Sequence, residues 1–330
     1  MTAPTPTPGI HHVTSIAGDP QRNLDFWVET LGLRLVKRSI NQDDPGTYHF
    51  FFADAEGNPG TSMTFFPWEN QSGGKVGSGQ VSRTAFRVPE GSLDYWEARF
   101  DDYDVDYDER VERFGETVLP FRDPDGLPVE LVAVEIPDDD PTVPWTEFVS
   151  EASAIRGFHS VTLWLADPGP TTELLQTMGL EEVGTEQAQG DTPGDERTRF
   201  AASGPVGRYV DVLPTIEGGR QGHGTVHHVA FQTPTDADQE SMRKAVRSAG
   251  LSPTQQIDRH CFRSVYFREH GGVLFELATN GPGYDSDEPL DDLGGRLVLP
   301  GTFEARREEI EAGLADVTIP RAEQVEADDD

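Results

Sequence analysis

Three scarcities in this 330-residue sequence narrow the class of protein before any motif is considered. Cysteine occurs once, at Cys261, so no internal disulfide can form and a reducing compartment is expected. No apolar run reaches the roughly 18 residues that a transmembrane helix needs. The N-terminal sequence lacks the basic and apolar regions of a signal peptide. We therefore expect a cytoplasmic protein with no membrane partner, and the sequence assigns no role to Cys261.

Basic residues are also scarce. The chain has 26 lysines and arginines against 59 acidic residues, a formal net charge of -33. Such a surface repels nucleic acid and anionic membranes, so neither is an expected partner. High charge can also indicate disorder, but periodic apolar segments run along nearly the whole chain. We interpret the charge as that of a folded, halophilic protein, in which salt screens the self-repulsion.

A strand, an amphipathic helix and a strand-rich stretch recur four times. In the first copy, GIHHVTSI (9–16) has alternating faces, and PQRNLDFWVETLGL (20–33) carries apolar residues at helical spacing. The other copies begin with VSRTAFRVP (81–89), GFHSVTLWL (157–165) and VHHVAFQT (226–233). The pattern predicts an α+β fold of four βαβββ modules, at residues 9–68, 80–135, 156–214 and 225–280.

The order of the modules along the chain suggests a division into two domains. We expect an N-terminal domain at 1–135, an acidic, Pro-rich linker at 136–155 and a C-terminal domain at 156–280. The tail, 281–330, is predicted to hold one helix near 303–314 and a frayed acidic end, EADDD. Association into a homo-oligomer is left open.

Because the modules repeat, equivalent positions can be compared within the one chain. Superposing the first strands places His12, Ala85, Ser160 and His228 at one position. Superposing the last strands places Thr64, Glu130, Asp211 and Glu276 at another. Strand side chains alternate between two faces, so the residues of each set should point to the same face.

Pairing the first module with the fourth collects two histidines and one carboxylate in a single cup. This is the facial ligand set of non-haem Fe(II) sites, and it leaves coordination positions open for other molecules. We therefore predict that His12, His228 and Glu276 hold a divalent metal ion. Glu130 has no histidine companions and is interpreted as a structural carboxylate.

These segments resemble the vicinal oxygen chelate (glyoxalase/extradiol dioxygenase) superfamily. HHVT, GTVHHVAF, DRHCFRSVYFREHGGVLFELAT and GGRLVLPGTFEARREEIE are similar to segments of its ring-cleaving dioxygenases of the para-hydroquinone type. The resemblance implies two domains of this fold, with a metal at His12, His228 and Glu276. It also implies a substrate pocket lined by His11, Thr14, His227, Tyr266 and an arginine, Arg259 or the alternative Arg263.

The function implied is O₂-dependent cleavage of a hydroquinone- or catechol-like diol, in aromatic degradation or quinone detoxification. Fe(II) is the favoured metal and Mn(II) the alternative. His11 or His227 would accept a phenolic proton, and His227 or Tyr266 would donate one. Adjacent strand residues face opposite sides, however, so the two histidines could instead only bond to the cup wall. Two other functions stay open: a glyoxalase-like isomerase or lyase without O₂, and a non-enzymatic binder of quinones or aromatic compounds.

Overall fold

The structure is a computed structural model that describes residues 4–188 and 196–322. The first module consists of β1 (Ile10–Ala17), α1 (Pro20–Leu24), a π-helical segment (Asp25–Thr30), β2 (Arg34–Asn41), β3 (Asp44–Ala53) and β4 (Ser62–Pro67). The second consists of β5 (Gln80–Pro89), α2 (Leu93–Asp102), β6 (Val111–Arg113), β7 (Glu116–Arg122) and β8 (Pro128–Val134). The third consists of β9 (Phe158–Leu165), α3 (Gly169–Thr177), β10 (Glu181–Gln187), β11 (Glu196–Ala201) and β12 (Tyr209–Pro214). The fourth consists of β13 (Thr225–Thr233), α4 (Asp236–Ser248), β14 (Ile257–Asp258), β15 (Phe262–Arg268) and β16 (Leu274–Pro282).

The strands form two eight-stranded sheets, each built from two modules. The first sheet has the order β14-β15-β16-β13-β1-β4-β3-β2, and the second has the order β10-β11-β12-β9-β5-β8-β7-β6. The first module therefore joins the fourth through an antiparallel β1–β13 seam, and the second joins the third through β5–β9. The predicted α+β fold of four βαβββ modules, with the first and fourth combined, is confirmed.

Alternation along the strands separates a core face from a cup face, as β4 (SMTFFP) shows. Met63 and Phe65 are fully buried and belong to the main hydrophobic core. Each such side chain contributes about 1.5–3 kcal/mol by its burial. Thr64 and Phe66 point the other way, where Thr64 meets Thr14 of β1 and Phe66 lines a cavity. The strand period of two thus decides which residues can form a site.

Both the start and the end of the first helical region follow from its sequence. Asp19 caps α1 by accepting a hydrogen bond from the Arg22 backbone N–H, and Trp27 of the π-helical segment is fully buried. Gly32 follows with a φ of 70°. A Cβ at Gly32 would lie 2.5 Å from Val149 Cγ2, so both the backbone conformation and the packing require glycine there.

The C-terminal tail packs along the edge strand β2. The Val298 backbone N–H donates to the Arg38 carbonyl oxygen, and Ser39 Oγ donates to the Val298 carbonyl oxygen. A short helix, α5 (Arg307–Gly313), follows. The predicted acidic end EADDD lies outside the described residues, and the division of the chain into two domains with a linker at 136–155 stays a prediction. Within residues 4–188 and 196–322, no helix is both long enough and apolar enough to cross a membrane.

Candidate metal centre

Three buried side chains from three neighbouring strands of the first sheet converge. They are His12 on β1, His228 on β13 and Glu276 on β16. His12 Nε2 and His228 Nε2 are 3.3 Å apart. Glu276 Oε2 lies 3.3 Å from His12 Nε2 and 2.9 Å from His228 Nε2. The structure therefore brings together the three residues predicted as metal ligands, and we call them the triad.

The donor atoms of the triad suit a shared divalent cation. Three ligands on one face of an octahedron with bonds of about 2.1 Å lie about 3.0 Å apart, close to the separations found here. Glu276 Oε2 is buried and accepts no hydrogen bond from any described residue, a costly state for a carboxylate without a cation. Burial raises the pKa of Glu276, but His12 and His228 outweigh it and hold that pKa well below its usual range. The carboxylate is therefore ionised and available to a metal.

Other side chains orient the triad. The Ser264 hydroxyl on β15 donates to Glu276 Oε1, the carboxylate oxygen turned away from the two histidines. Thr14 Oγ1 lies 2.9 Å from His228 Nε2 and 2.7 Å from Thr64 Oγ1. A bond such as the one from Ser264, made to the oxygen that does not face the histidines, fixes the orientation of a metal ligand in proteins.

Each histidine doublet lies at a β-bulge in the β1–β13 seam. The pairing register skips His11 on β1 and His227 on β13. A bulge changes the direction in which the extra side chain points. The rings of His11 and His227 therefore contact the rings of His12 and His228 instead of pointing to the opposite face of the sheet. His11 Nδ1 lies 2.9 Å from His12 Nδ1, and His227 Nδ1 lies 2.8 Å from His228 Nδ1. Each candidate ligand thus presents Nε2 to the triad while its Nδ1 is held.

A cavity of about 370 Å³ opens beside His12 and His228. Its size suits one small aromatic molecule. Aromatic and aliphatic side chains contribute apolar parts of its walls: Ile40, Phe51, Phe66, Trp68, Phe262 and Leu274. The candidate metal position therefore lies at the edge of a chamber that combines apolar and polar side chains.

The predicted pocket residues divide into two groups. His227 and Tyr266 line the cavity. His11 and Thr14 are buried behind the triad and are not among the described residues that line it. Burial raises the pKa of the Tyr266 phenol, which therefore stays protonated and can act as a hydrogen-bond donor.

Of the two candidate arginines, Arg259 lies at the cavity. Its guanidinium donates to Gln42 Oε1 at 3.2 Å and to Asp43 Oδ2 at 3.1 Å, across from the β14–β15 hairpin to the β2–β3 hairpin. The Arg259 Cζ atom also lies 5.3 Å from the centroid of the Tyr266 ring. Arg263 instead pairs with Asp236 at the start of α4 and is not among the described residues that line the cavity.

Comparison with known proteins agrees with this architecture. The sequence matches the Glyoxalase/Bleomycin resistance protein/Dioxygenase superfamily over residues 9–131 and again over 132–277. The chain belongs to this superfamily.

Several similar proteins extend over nearly the full length of this superfamily member. MhqO of Bacillus subtilis, named a ring-cleaving dioxygenase, is 43% identical over 93% of this chain and 96% of its own length. The chlorohydroquinone/hydroquinone 1,2-dioxygenase of Sphingobium indicum is 32% identical over 94% of this chain and 97% of its own. A crystal structure of a Bacillus subtilis protein described as a dioxygenase superposes with a TM-score of 0.89 at 42% identity, covering 96% of this chain and 99% of that chain.

The second sheet has the same superfamily framework but carries guanidinium groups near its glutamate. Glu130 Oε2 accepts a hydrogen bond from Arg113 Nη1 at 2.6 Å, and Glu130 Oε1 lies 3.1 Å from Arg83 Nε. Asp211 is paired in the same way with Arg197 and Arg199.

The register corrects one superposition predicted from the repeats. Ala85 pairs with Glu130 in the second sheet, as Ala230 pairs with Glu276 in the first. The equivalent of His228 is therefore Arg83, and the alignment of Ala85 with His228 was wrong by two residues. The shared pattern Val-x-x-x-Ala-Phe in VSRTAF and VHHVAF carried the correct alignment.

Among the polar residues that line the cavity, His49 and Lys37 were not predicted from the sequence. His49 on β3 lies between the rings of Phe51 and Phe66, at centroid distances of 3.9 and 4.4 Å. Lys37 on β2 is buried, and its ammonium group pairs with Asp287 of the tail. A histidine and a lysine inside apolar strands were the available signals.

Cys261 also lines the cavity. Burial raises the pKa of its thiol to about 12, so the thiol is protonated and unreactive near neutral pH. A nucleophilic role for this cysteine is therefore disfavoured.

Proposed function

We propose that this chain is a ring-cleaving dioxygenase that acts with O₂ on a hydroquinone- or catechol-like aromatic diol. The triad would hold the metal, with Fe(II) favoured over Mn(II) because two imidazoles and one carboxylate suit non-haem iron. The observation that carries the proposal is the convergence of His12, His228 and Glu276 beside an aromatic-walled cavity. The full-length similarity to proteins named as ring-cleaving and hydroquinone dioxygenases supports it.

Such a metal supplies open positions for the diol and O₂ and lowers the pKa of a bound hydroxyl. The chain supplies the surroundings. Phe51, Phe66 and Phe262 provide flat apolar surfaces against which an aromatic ring can pack. The bond from Arg259 to Asp43 connects two hairpins across the cavity and would restrict the entry of water.

The contacts within the doublets His11–His12 and His227–His228 would fix which ring nitrogen of His11 and of His227 carries the proton. A histidine that binds metal through Nε2 carries its proton on Nδ1. His228 Nδ1–H would then donate to His227 Nδ1, and the proton of the neutral His227 ring would reside on its Nε2. Burial lowers the pKa of His227 to about 3, so the ring is neutral. His227 would therefore offer an N–H donor to the cavity, as the Tyr266 hydroxyl does, and the same reasoning applied to His11 leaves neither histidine as the proton acceptor.

The proposal is tested by anaerobic reconstitution with Fe(II) or Mn(II), followed by oxygen-electrode assays in high salt. Hydroquinone, methylhydroquinone and catechol serve as substrates. We expect O₂ consumption with at least one diol, stoichiometric with loss of its aromatic absorbance, and none with the His12→Ala variant. Stoichiometric zinc or nickel with no O₂ uptake would indicate a glyoxalase-like isomerase or lyase instead. Binding without turnover in protein that takes up no metal would indicate a non-enzymatic binder.

A further inference from the structure

A second cavity lies next to the candidate metal centre, and the proposed mechanism does not use it. Its volume is about 580 Å³. Trp68 and His227 line both this second cavity and the first cavity, the one beside the triad, and their ring centroids are 6.2 Å apart. His227 Nδ1 in turn lies 2.8 Å from Nδ1 of the triad residue His228. The second cavity is therefore separated from the triad by the side chain of His227.

The two cavities differ in the charge of their walls. The exposed Asp43 and Asp44 line the first cavity, where the basic residues Lys37 and Arg259 are both paired with carboxylates. The described residues that line the second cavity include one basic residue, Arg220, and no acidic residue. No described carboxylate lies within ion-pair distance of Arg220. Its charge is therefore available to an anionic ligand.

The backbone holds Arg220 at the edge of the second cavity. Residues 215–224, which link β12 to β13, run alongside residues 68–79, which link β4 to β5. Arg220 and Lys75 exchange two backbone hydrogen bonds of 2.7 and 2.8 Å, and Arg220 Nη2 donates to the Gly73 carbonyl oxygen at 2.6 Å. A Cβ at Gly77 would lie 2.3 Å from the backbone nitrogen of Gly219, so this close approach requires glycine. A cation held in this way loses little freedom when it binds an anion.

Ring cleavage gives the product a charge that the substrate lacks. In the proposed reaction the bond between a hydroxyl-bearing ring carbon and its neighbour breaks, and each of the two carbons gains one oxygen atom of O₂. The hydroxyl-bearing carbon becomes a carboxylic acid, and a neighbour that bears hydrogen becomes an aldehyde. O₂ is the oxidant, and no reductant is needed. The acid is ionised near neutral pH, so an uncharged diol yields an anion.

We propose that the second cavity binds the carboxylate of the ring-opened product, with Arg220 as its cation. This inference rests on the proposed function for the identity of the product. The carboxylate forms at the triad, and Arg220 lies in the cavity on the other side of His227. Release through the first cavity would instead bring the anion past Asp43 and Asp44, whose like charge repels it. The two cavities thus separate the entry of an uncharged substrate from the release of a charged product.

The test uses sorbate, a six-carbon diene carboxylate that resembles the ring-opened product, and sorbyl alcohol, its uncharged counterpart. Each is titrated calorimetrically into the Fe(II)-loaded protein without O₂, alone and with saturating hydroquinone. Arg220→Gln removes the charge and keeps a polar side chain. Arg247→Gln is the matched control, because Arg247 on α4 is exposed, has no ion pair with a described residue and is not among the described residues that line either cavity.

We expect wild type to bind sorbate about 3- to 5-fold more tightly than sorbyl alcohol, and Arg220→Gln to lose this preference. Arg247→Gln should keep it. Saturating hydroquinone should change Kd for sorbate by less than about 2-fold, because the diol and the carboxylate occupy different cavities. A carboxylate bound at the metal would compete with the diol.

Three results would overturn the proposal: equal affinity of wild type for sorbate and sorbyl alcohol, an unchanged preference in Arg220→Gln, and displacement of sorbate by hydroquinone. Loss of the preference in Arg247→Gln as well would attribute it to net charge and not to this site. Oxygen uptake is measured separately. If no diol supports uptake, the proposed function fails, whereas a preference for sorbate that depends on Arg220 would still show a carboxylate site.

Discussion

Replacing Ser264 by alanine removes the hydrogen bond that orients the Glu276 carboxylate. Both side chains are fully buried, so water cannot substitute for the lost hydroxyl. The Ser264 hydroxyl donates to Oε1, while Oε2 faces His12 and His228. The substitution therefore leaves the three ligand atoms in the chain but frees the carboxylate to rotate.

The magnitude follows from the type of bond. A hydrogen bond to a charged group contributes about 1.5–3 kcal/mol, and each 1.4 kcal/mol is about tenfold in an equilibrium constant. Ser264→Ala should therefore raise Kd for Fe(II) or Mn(II) by about 10- to 100-fold, the range typical of residues that support metal ligands. The fold should be retained, because alanine fits the strand position, but the unpaired Glu276 Oε1 should lower the free energy of unfolding by about 1–3 kcal/mol.

The assay is an anaerobic competition titration of the metal against a chromophoric chelator. Ser15→Ala is the matched control, because Ser15 on β1 is equally buried and its hydroxyl has no hydrogen-bond partner among the described residues. The control should bind metal as wild type does. Unchanged affinity in Ser264→Ala, or equal weakening in Ser15→Ala, would refute the reasoning.

Three further predictions concern other parts of the molecule. Tyr266→Phe removes a proton donor but keeps the ring, so kcat for O₂ uptake should fall roughly 100-fold with metal content unchanged; an unchanged kcat would contradict this role. Arg113→Met leaves the buried Glu130 short of a partner and should lower the free energy of unfolding by about 3–5 kcal/mol in urea denaturation, without loss of metal. Burial raises the pKa of Asp123 to about 7. From about pH 4 to 7 the folded state then retains a proton that the unfolded chain has released, so stability falls as pH rises; Asp123→Asn should gain up to about 4 kcal/mol relative to wild type over that interval, and a constant difference would contradict the shift.

The repeated sequence pattern was sufficient to predict which modules combine. His12, His228 and Glu276 lie within strands whose alternation between two faces can be recognised in the sequence. Only one pairing of modules assembles two histidines with a carboxylate. The α+β fold followed from the same four repeats. These features are local in sequence or follow from strand periodicity, and they were predicted correctly.

Other features depend on contacts that the sequence does not encode locally. The bulges at His11 and His227 arise only where β1 meets β13, so the strand period of two could not decide whether these histidines face the pocket. The position of Lys37 depends on the tail, which contributes Asp287. His49 becomes a cavity residue because the sheet curls and brings β3 near the triad, and no pattern within β3 shows that curvature.

Metal analysis of matched glutamine variants tests the central claim most directly. Glu276→Gln and Glu130→Gln make the same change at equivalent positions of the two sheets. After anaerobic loading with Fe(II) and removal of free metal, wild type and Glu130→Gln should each retain one ion per chain, and Glu276→Gln should retain essentially none. Retention of the ion by Glu276→Gln, or its loss from Glu130→Gln alone, would contradict a metal centre formed by His12, His228 and Glu276.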